Sequence, residues 1–179
     1  MKKISLTLMV IVLMLATTGI ASAAHQQSGT TYFVAHLSGA DEVPARETSA
    51  SGITTLQLNK TGDGLRFKLG VTGITNVVAA HIHCGAPGVN GPVGMTLYSG
   101  GAPGSGPFEG VLASGIKTAP DAGNGCGWAT LADVVAAMRS GNTYVNVHTN
   151  DGVAPTNTGP GDFPGGEIRG QVLEQGLTP

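Results

Sequence analysis

Charge is what this 179-residue chain has least of: only 11% of its residues are Asp, Glu, Lys or Arg, against about 25% in an ordinary soluble domain. So few charges exclude a coiled coil or a protein of long solvated helices. Disorder is excluded too, because disordered chains combine low hydrophobicity with high net charge, whereas 41% of this chain is hydrophobic and its formal charge is −2. The same charge removes the electrostatic basis for nucleic-acid binding, which needs a basic stripe. Cysteine occurs only twice, with no CxxC spacing, so zinc-ribbon and thioredoxin-type chemistry have no support. What the chain does have is 29 glycines and 10 prolines, the composition of many turns between short strands. The length suits one domain.

The first two dozen residues read as an export signal. Lys2 and Lys3 form a basic start, Leu6 to Ile20 an apolar stretch, and Ala21-Ser22-Ala23 a small-residue cleavage pattern followed closely by polar Gln26 and Gln27. Residues 1–23 are therefore expected to be a signal peptide, the apolar run being short for a spanning helix, and no membrane span is expected once it is removed. Loss of Lys2 and Lys3 leaves seven basic and eleven acidic residues, a charge near −4. A periplasmic or secreted location follows. In that oxidising setting Cys84 and Cys126 are expected to pair as a disulfide.

From Thr31 onward short alternating runs are bounded by Gly, Asn, Asp and Pro, the pattern of an all-β sandwich or barrel. Candidate strands are Thr31–Leu37, Gly52–Asn59, Gly64–Val71, Val77–His83, Val93–Tyr98, Phe108–Ile116, Thr143–His148 and Glu167–Leu173. Thr130 to Arg139 departs from this pattern. It has helical spacing, Thr130 as a plausible N-cap and Gly141 just past its end. The expectation is an all-β fold, a Greek-key β-sandwich of about eight strands with one short inserted helix, spanning residues 31–174. Gly85–Pro92, Gly100–Pro107 and Asp151–Gly166 are long loops, and loops carry function more often than the strands that hold them.

Side chains alternate across a strand, so His81 and His83 project from one face about 7 Å apart. Val78, Ala80 and Ile82 take the opposite, apolar face, which assigns the histidines to the outside. The strand around His148 repeats this logic: Val145 and Val147 face inward, Tyr144, Asn146 and His148 outward. If the two strands are neighbours, three imidazoles meet. Imidazole suits Cu, Zn, Ni or Fe, and Cu(II) leads in affinity. The ordinary alternative is that these are solvent-facing polar residues. His36, also on a non-core face, is either a fourth ligand or a surface histidine, and His25 would be a terminal chelator if cleavage followed Ala24. Cys84 falls on the opposite face from the histidine pair, and Met138 lies within the helix, so a blue-copper centre is rejected.

These residues resemble the CHRD (chordin-type) family. The resemblance runs from Leu37-Ser38-Gly39-Ala40-Asp41-Glu42-Val43-Pro44 through His81-Ile82-His83-Cys84-Gly85 and Asn90-Gly91-Pro92-Val93. It continues at Tyr144-Val145-Asn146-Val147-His148-Thr149 and Gly165-Gly166-Glu167-Ile168-Arg169-Gly170-Gln171. It implies a secreted β-sandwich module. A more distant similarity is to copper–zinc superoxide dismutase, in an HxH strand, a long loop, a late Val-His strand and a final arginine-bearing segment. That similarity implies His81, His83 and His148 as copper ligands and Arg169 as an anion-guiding group. The chain departs from it in having no histidine between His83 and His148, so a zinc subsite of the dismutase type is missing. Arg169 and Glu167, two apart on a strand, can equally form an exposed pair. Asn146 is a candidate to orient a ligand ring, and Asp41, Glu42 and Asp162 are loop acids that can do the same or ligate.

No GxSxG elbow, P-loop or HExxH helix occurs. Two readings follow: an exported copper-binding module with catalysis left open, or a noncatalytic extracellular protein-interaction module without metal.

Overall fold

A computed structural model describes residues 30–176; the expected signal peptide and His25 lie outside them. Nine strands form one antiparallel sheet: β1 (Thr31–Ser38), β2 (Ser51–Leu58), β3 (Leu65–Thr75), β4 (Val77–Cys84), β5 (Val93–Ser99), β6 (Pro107–Lys117), β7 (Thr143–Thr149), β8 (Ile168–Gln171) and β9 (Leu173–Gln175). Their spatial order is β5-β4-β7-β8-β1-β2-β3-β6, with β9 also on β1. The end strands β5 and β6 come into contact, so the sheet wraps almost completely around one core. The fold is all-β, as expected.

The inner face follows the period-2 pattern, with Phe33, Ala35 and Leu37 of β1, Leu56 and Leu58 of β2, and Leu65, Phe67 and Leu69 of β3 all buried. The inserted helix α1 (Leu131–Arg139) closes the core with Leu131, Val134, Val135 and Met138. Thr130 caps it by accepting the Asp133 N–H, while the Asp133 side chain accepts from the Thr130 N–H, a reciprocal capping box. Gly141, just past its end, takes φ +71°, the left-handed conformation that glycine adopts without a Cβ penalty.

The chain passes from β3 to β4, each the second strand from an opposite end of the sheet order, through Asn76 alone, held at φ 54°. Every polar group of that corner residue is used. Its N–H donates to the Gly106 carbonyl, its carbonyl accepts from Asn150 N–H, its Nδ2 donates to the Gly161 carbonyl, and its Oδ1 accepts from Gly106 N–H. Cys84, at the end of β4, is disulfide-bonded to Cys126 in the β6–β7 crossover, with Cα atoms 5.8 Å apart.

Two register details correct the sequence reading. A bulge between Val77 and Ala79 on the β7 side makes Val77, with Ala80 and Ile82, the core residue, leaving Val78 half-buried. The last expected strand, Glu167–Leu173, is two short strands separated by Val172, whose N–H donates to the Thr143 carbonyl.

Candidate metal centre

Strands β4 and β7 are neighbours, the adjacency the histidine reading needed. His81 stands opposite Asn146, His83 opposite Tyr144 and Ala79 opposite His148. On the face away from the core, His81, His83 and His148 bring one ligating nitrogen each within 4.8 Å of the others. His81 Nδ1 lies 3.0 Å from His148 Nε2. Two nitrogens bonded to one metal at about 2.0 Å stand about 3.3–4 Å apart, so to take an ion the 3.0 Å edge of this triangle would open slightly and its longest edge would close.

The face is outside the core but not in solvent, so the alternative of solvent-facing polar residues does not hold for His83 and His148. His83 is only 7% exposed and His148 9%; His81 is half-buried and the most open of the three. Both faces of β7 are buried along its whole length, because loops 85–92 and 151–167 and the segment around Glu42 cover the outer one. That cover fixes the ring tautomers. His83 Nδ1 lies 2.9 Å from the Gly91 carbonyl and His148 Nδ1 2.9 Å from the Pro164 carbonyl. A carbonyl only accepts, so each Nδ1 carries the proton and each Nε2 presents a lone pair. His83 Nε2 is buried with no hydrogen-bond partner. Burial also holds the rings neutral: it pushes the His83 and His148 imidazoles down to about 4, aided by the charge of their neighbours, and lowers His81 as well. Neutral imidazole is the form that ligates.

Around this triad the cover is specific. Tyr144 stacks on His83, with ring centroids 4.8 Å apart, and its hydroxyl both accepts from Gly91 N–H at 3.0 Å and donates to the Gly91 carbonyl at 3.2 Å. Gly91 can only be glycine, since a Cβ there would meet the Cys84 carbonyl oxygen. Neither Tyr144 nor Gly91 was singled out from the sequence as a site residue; their roles arise from a loop folding back over a strand, for which the sequence carries no local signal.

Arg169 was expected at the surface as an anion guide, or paired with Glu167. It is instead 1% exposed, its guanidinium 3.5 Å over the Tyr144 ring, donating to Asn90 Oδ1 and to the Ala86 and Val89 carbonyls. Arg169 therefore clamps the loop over His83, and an anion would have to displace that loop to reach it. Glu167 is fully buried and accepts from Thr48, Thr149 and the Gly161 N–H, not from Arg169.

His36 is exposed on β1, which β8 separates from β7, and lies outside the cluster. Among the loop acids, Glu42 is the one placed against the site. Its two carboxylate oxygens accept from Asn146 Nδ2 at 3.1 and 3.2 Å. Burial pushes its carboxyl up to about 7, against the pull of Arg169 and Arg46. Asp41 accepts from Ser38 and Asp162 from Thr158, away from the triad.

Searches of curated proteins and of solved structures return no match, and so add nothing to the dismutase likeness. No helix among the described residues is long and apolar enough to cross a membrane. The family model of the CHRD domain does match, over residues 33–172. That span takes in β2 to β8 and nearly all of β1, the disulfide and all three clustered histidines, and the chain belongs to the CHRD domain family.

Proposed function

We propose that this is an exported protein that binds one copper ion through His81 Nδ1, His83 Nε2 and His148 Nε2. The carrying observation is the unpartnered, buried Nε2 of His83, aimed into a triangle of neutral imidazole nitrogens. A buried polar atom without a partner costs free energy unless something completes it. The donor set supports copper: it contains nitrogen only, because both cysteines are in a disulfide, and on such ligands Cu(II) leads the divalent series. The disulfide and the CHRD family support a location outside the cytoplasm, as does the signal-like start. Bound copper would supply one-electron chemistry, and the half-open His81 side is the route by which a small molecule would approach it.

The test is Cu(II) titration of the metal-free protein followed by EPR, beside His83→Ala and His148→Ala. A one-to-one signal with nitrogen hyperfine structure that both variants lose supports the reading. Equal binding in the variants overturns it, as does tighter binding of Zn(II) in competition. Absence of any metal binding leaves the noncatalytic interaction module as the function.

A further inference from the structure

We infer that the outer face of β1, β2, β3 and β6, remote from the histidines, is a binding track for an acidic polysaccharide, a chain of uronate or sulfated sugars. The strand register builds the track. Tyr32, Gln57, Arg66 and Ile116 stand side by side across four adjacent strands, and Val34, Thr55, Lys68 and Ser114 form the next row. Strands lie about 4.8 Å apart, so each row runs roughly 15 Å across the sheet, with Arg66 and Lys68 about 7 Å apart along β3. Two depressions of about 560 and 370 Å³ lie on this face and share Gln57 and Arg66. Lys60 lines the smaller, Lys68 and Tyr32 the larger, and no acid lines either.

Charge singles out this face within an acidic protein. Among the described residues, Arg169 is buried beneath its loop, Arg46 lies half-buried over Phe163, and exposed Arg139 is paired with Glu174 at 3.5 Å. Lys117, at the end of β6, is half-buried; the exposed cations with no ion pair are Lys60, Arg66 and Lys68, and all three border the two depressions. Glu109 appears only further along the face, beyond Lys68.

The other groups choose the ligand. Cations alone would serve any anion, but here they are interleaved with amides and hydroxyls suited to sugar hydroxyls. Tyr32 adds an aromatic ring, 44% exposed and held by Gln57 Nε2 donating to its hydroxyl at 3.0 Å, against which a pyranose face can lie. Three cations are too few for the dense charge of a duplex, and an elongated shallow track suits an extended chain better than a compact phosphate. Arg66 can grip a carboxylate or sulfate through two parallel hydrogen bonds.

The experiment is calorimetric titration of the purified full chain with polygalacturonate at physiological salt. Neutral amylose, polyglutamate and vesicles of phosphatidylcholine with phosphatidylglycerol serve as comparators. Polygalacturonate is expected to bind and amylose not to. The combined variant Lys60→Gln/Arg66→Gln/Lys68→Gln should lose roughly ten-fold or more in affinity, and Tyr32→Ala several-fold, with the urea midpoint of unfolding unchanged in both. No polygalacturonate binding, or equal binding by the triple variant, overturns the inference. Equal or tighter binding to polyglutamate or to the vesicles, with no effect of Tyr32→Ala, also overturns it, because the face would then read charge alone. Copper binding does not enter, so failure here is distinguishable from failure of the metal reading.

Discussion

At the scale of single residues the centre depends on how His83 is held. Its ring is stacked on Tyr144 and its Nδ1 tied to the Gly91 carbonyl, and the Tyr144 hydroxyl anchors the same Gly91. Tyr144→Phe keeps the stacking and removes only the anchor. The expected outcome is a loss of about 1 kcal/mol in urea denaturation. Copper affinity should fall by roughly ten-fold, the usual effect of removing a partner that orients a ligand. A merely structural role would move the first measurement and not the second. Arg169→Lys keeps the charge but loses the fork that spans Asn90, Ala86 and Val89. It should loosen loop 85–92, read as faster amide exchange at Val89 and Gly91.

At the scale of elements, the corner between β3 and β4 concentrates four hydrogen bonds in Asn76 at a positive φ. Asn76→Ala removes the two side-chain bonds and keeps a Cβ at a left-handed φ without the amide that compensates for it, so a loss of about 2–3 kcal/mol is expected. Asn76→Gly, which removes the same bonds but suits the conformation, should cost less. The difference between the two midpoints isolates the backbone contribution. The disulfide closes a separation of 42 residues, for which the chain-entropy relation gives about 4 kcal/mol. Cys84→Ser/Cys126→Ser should lose stability of that order, and measuring copper affinity in the same variant shows whether the end of β4 must be tethered for His83 to ligate. Most element boundaries were legible because inner residues such as Phe33, Ala35 and Leu37 keep strict alternation and α1 carries its own cap. The strand β3 ran on to Thr75 where Val71 was expected, since the bulge between Val71 and Ile74, with Gly73 at φ 64°, breaks the alternation without ending the pairing. The three histidines were legible for the same reason as the strands: period 2 fixes a face. What lies above that face was not, because Glu42, Gly91 and Pro164 reach it from loops distant in sequence, and local pattern carries no information on such contacts.

At the scale of the whole molecule, the buried groups of the centre should govern stability in acid. Free in an unfolded chain, His83 and His148 titrate near 6.5, while in the folded protein burial holds them at about 4. Below about pH 6.5 the unfolded chain therefore takes up protons that the folded one refuses. The stability these two contribute is full above that pH and is lost as the pH falls towards 4. His81, also lowered, adds in the same direction. Glu42 acts oppositely. Its carboxyl, ordinarily near 4.5, is raised to about 7, so the folded state holds the extra proton and this contribution is lost as the pH rises through 7. Near neutrality the two effects offset each other and the profile is flat. Around pH 5 two histidines outweigh one carboxyl by about one proton, which gives a slope of about 1.4 kcal/mol per pH unit. In Glu42→Gln the opposing group is gone, and the slope near pH 5 should approach twice that value. Urea denaturation of the metal-free protein and of Glu42→Gln, in chelator from pH 4.5 to 8, tests this. Parallel profiles would mean that Glu42 is ionised in the folded protein at pH 5, its burial outweighed by Arg169 and Arg46.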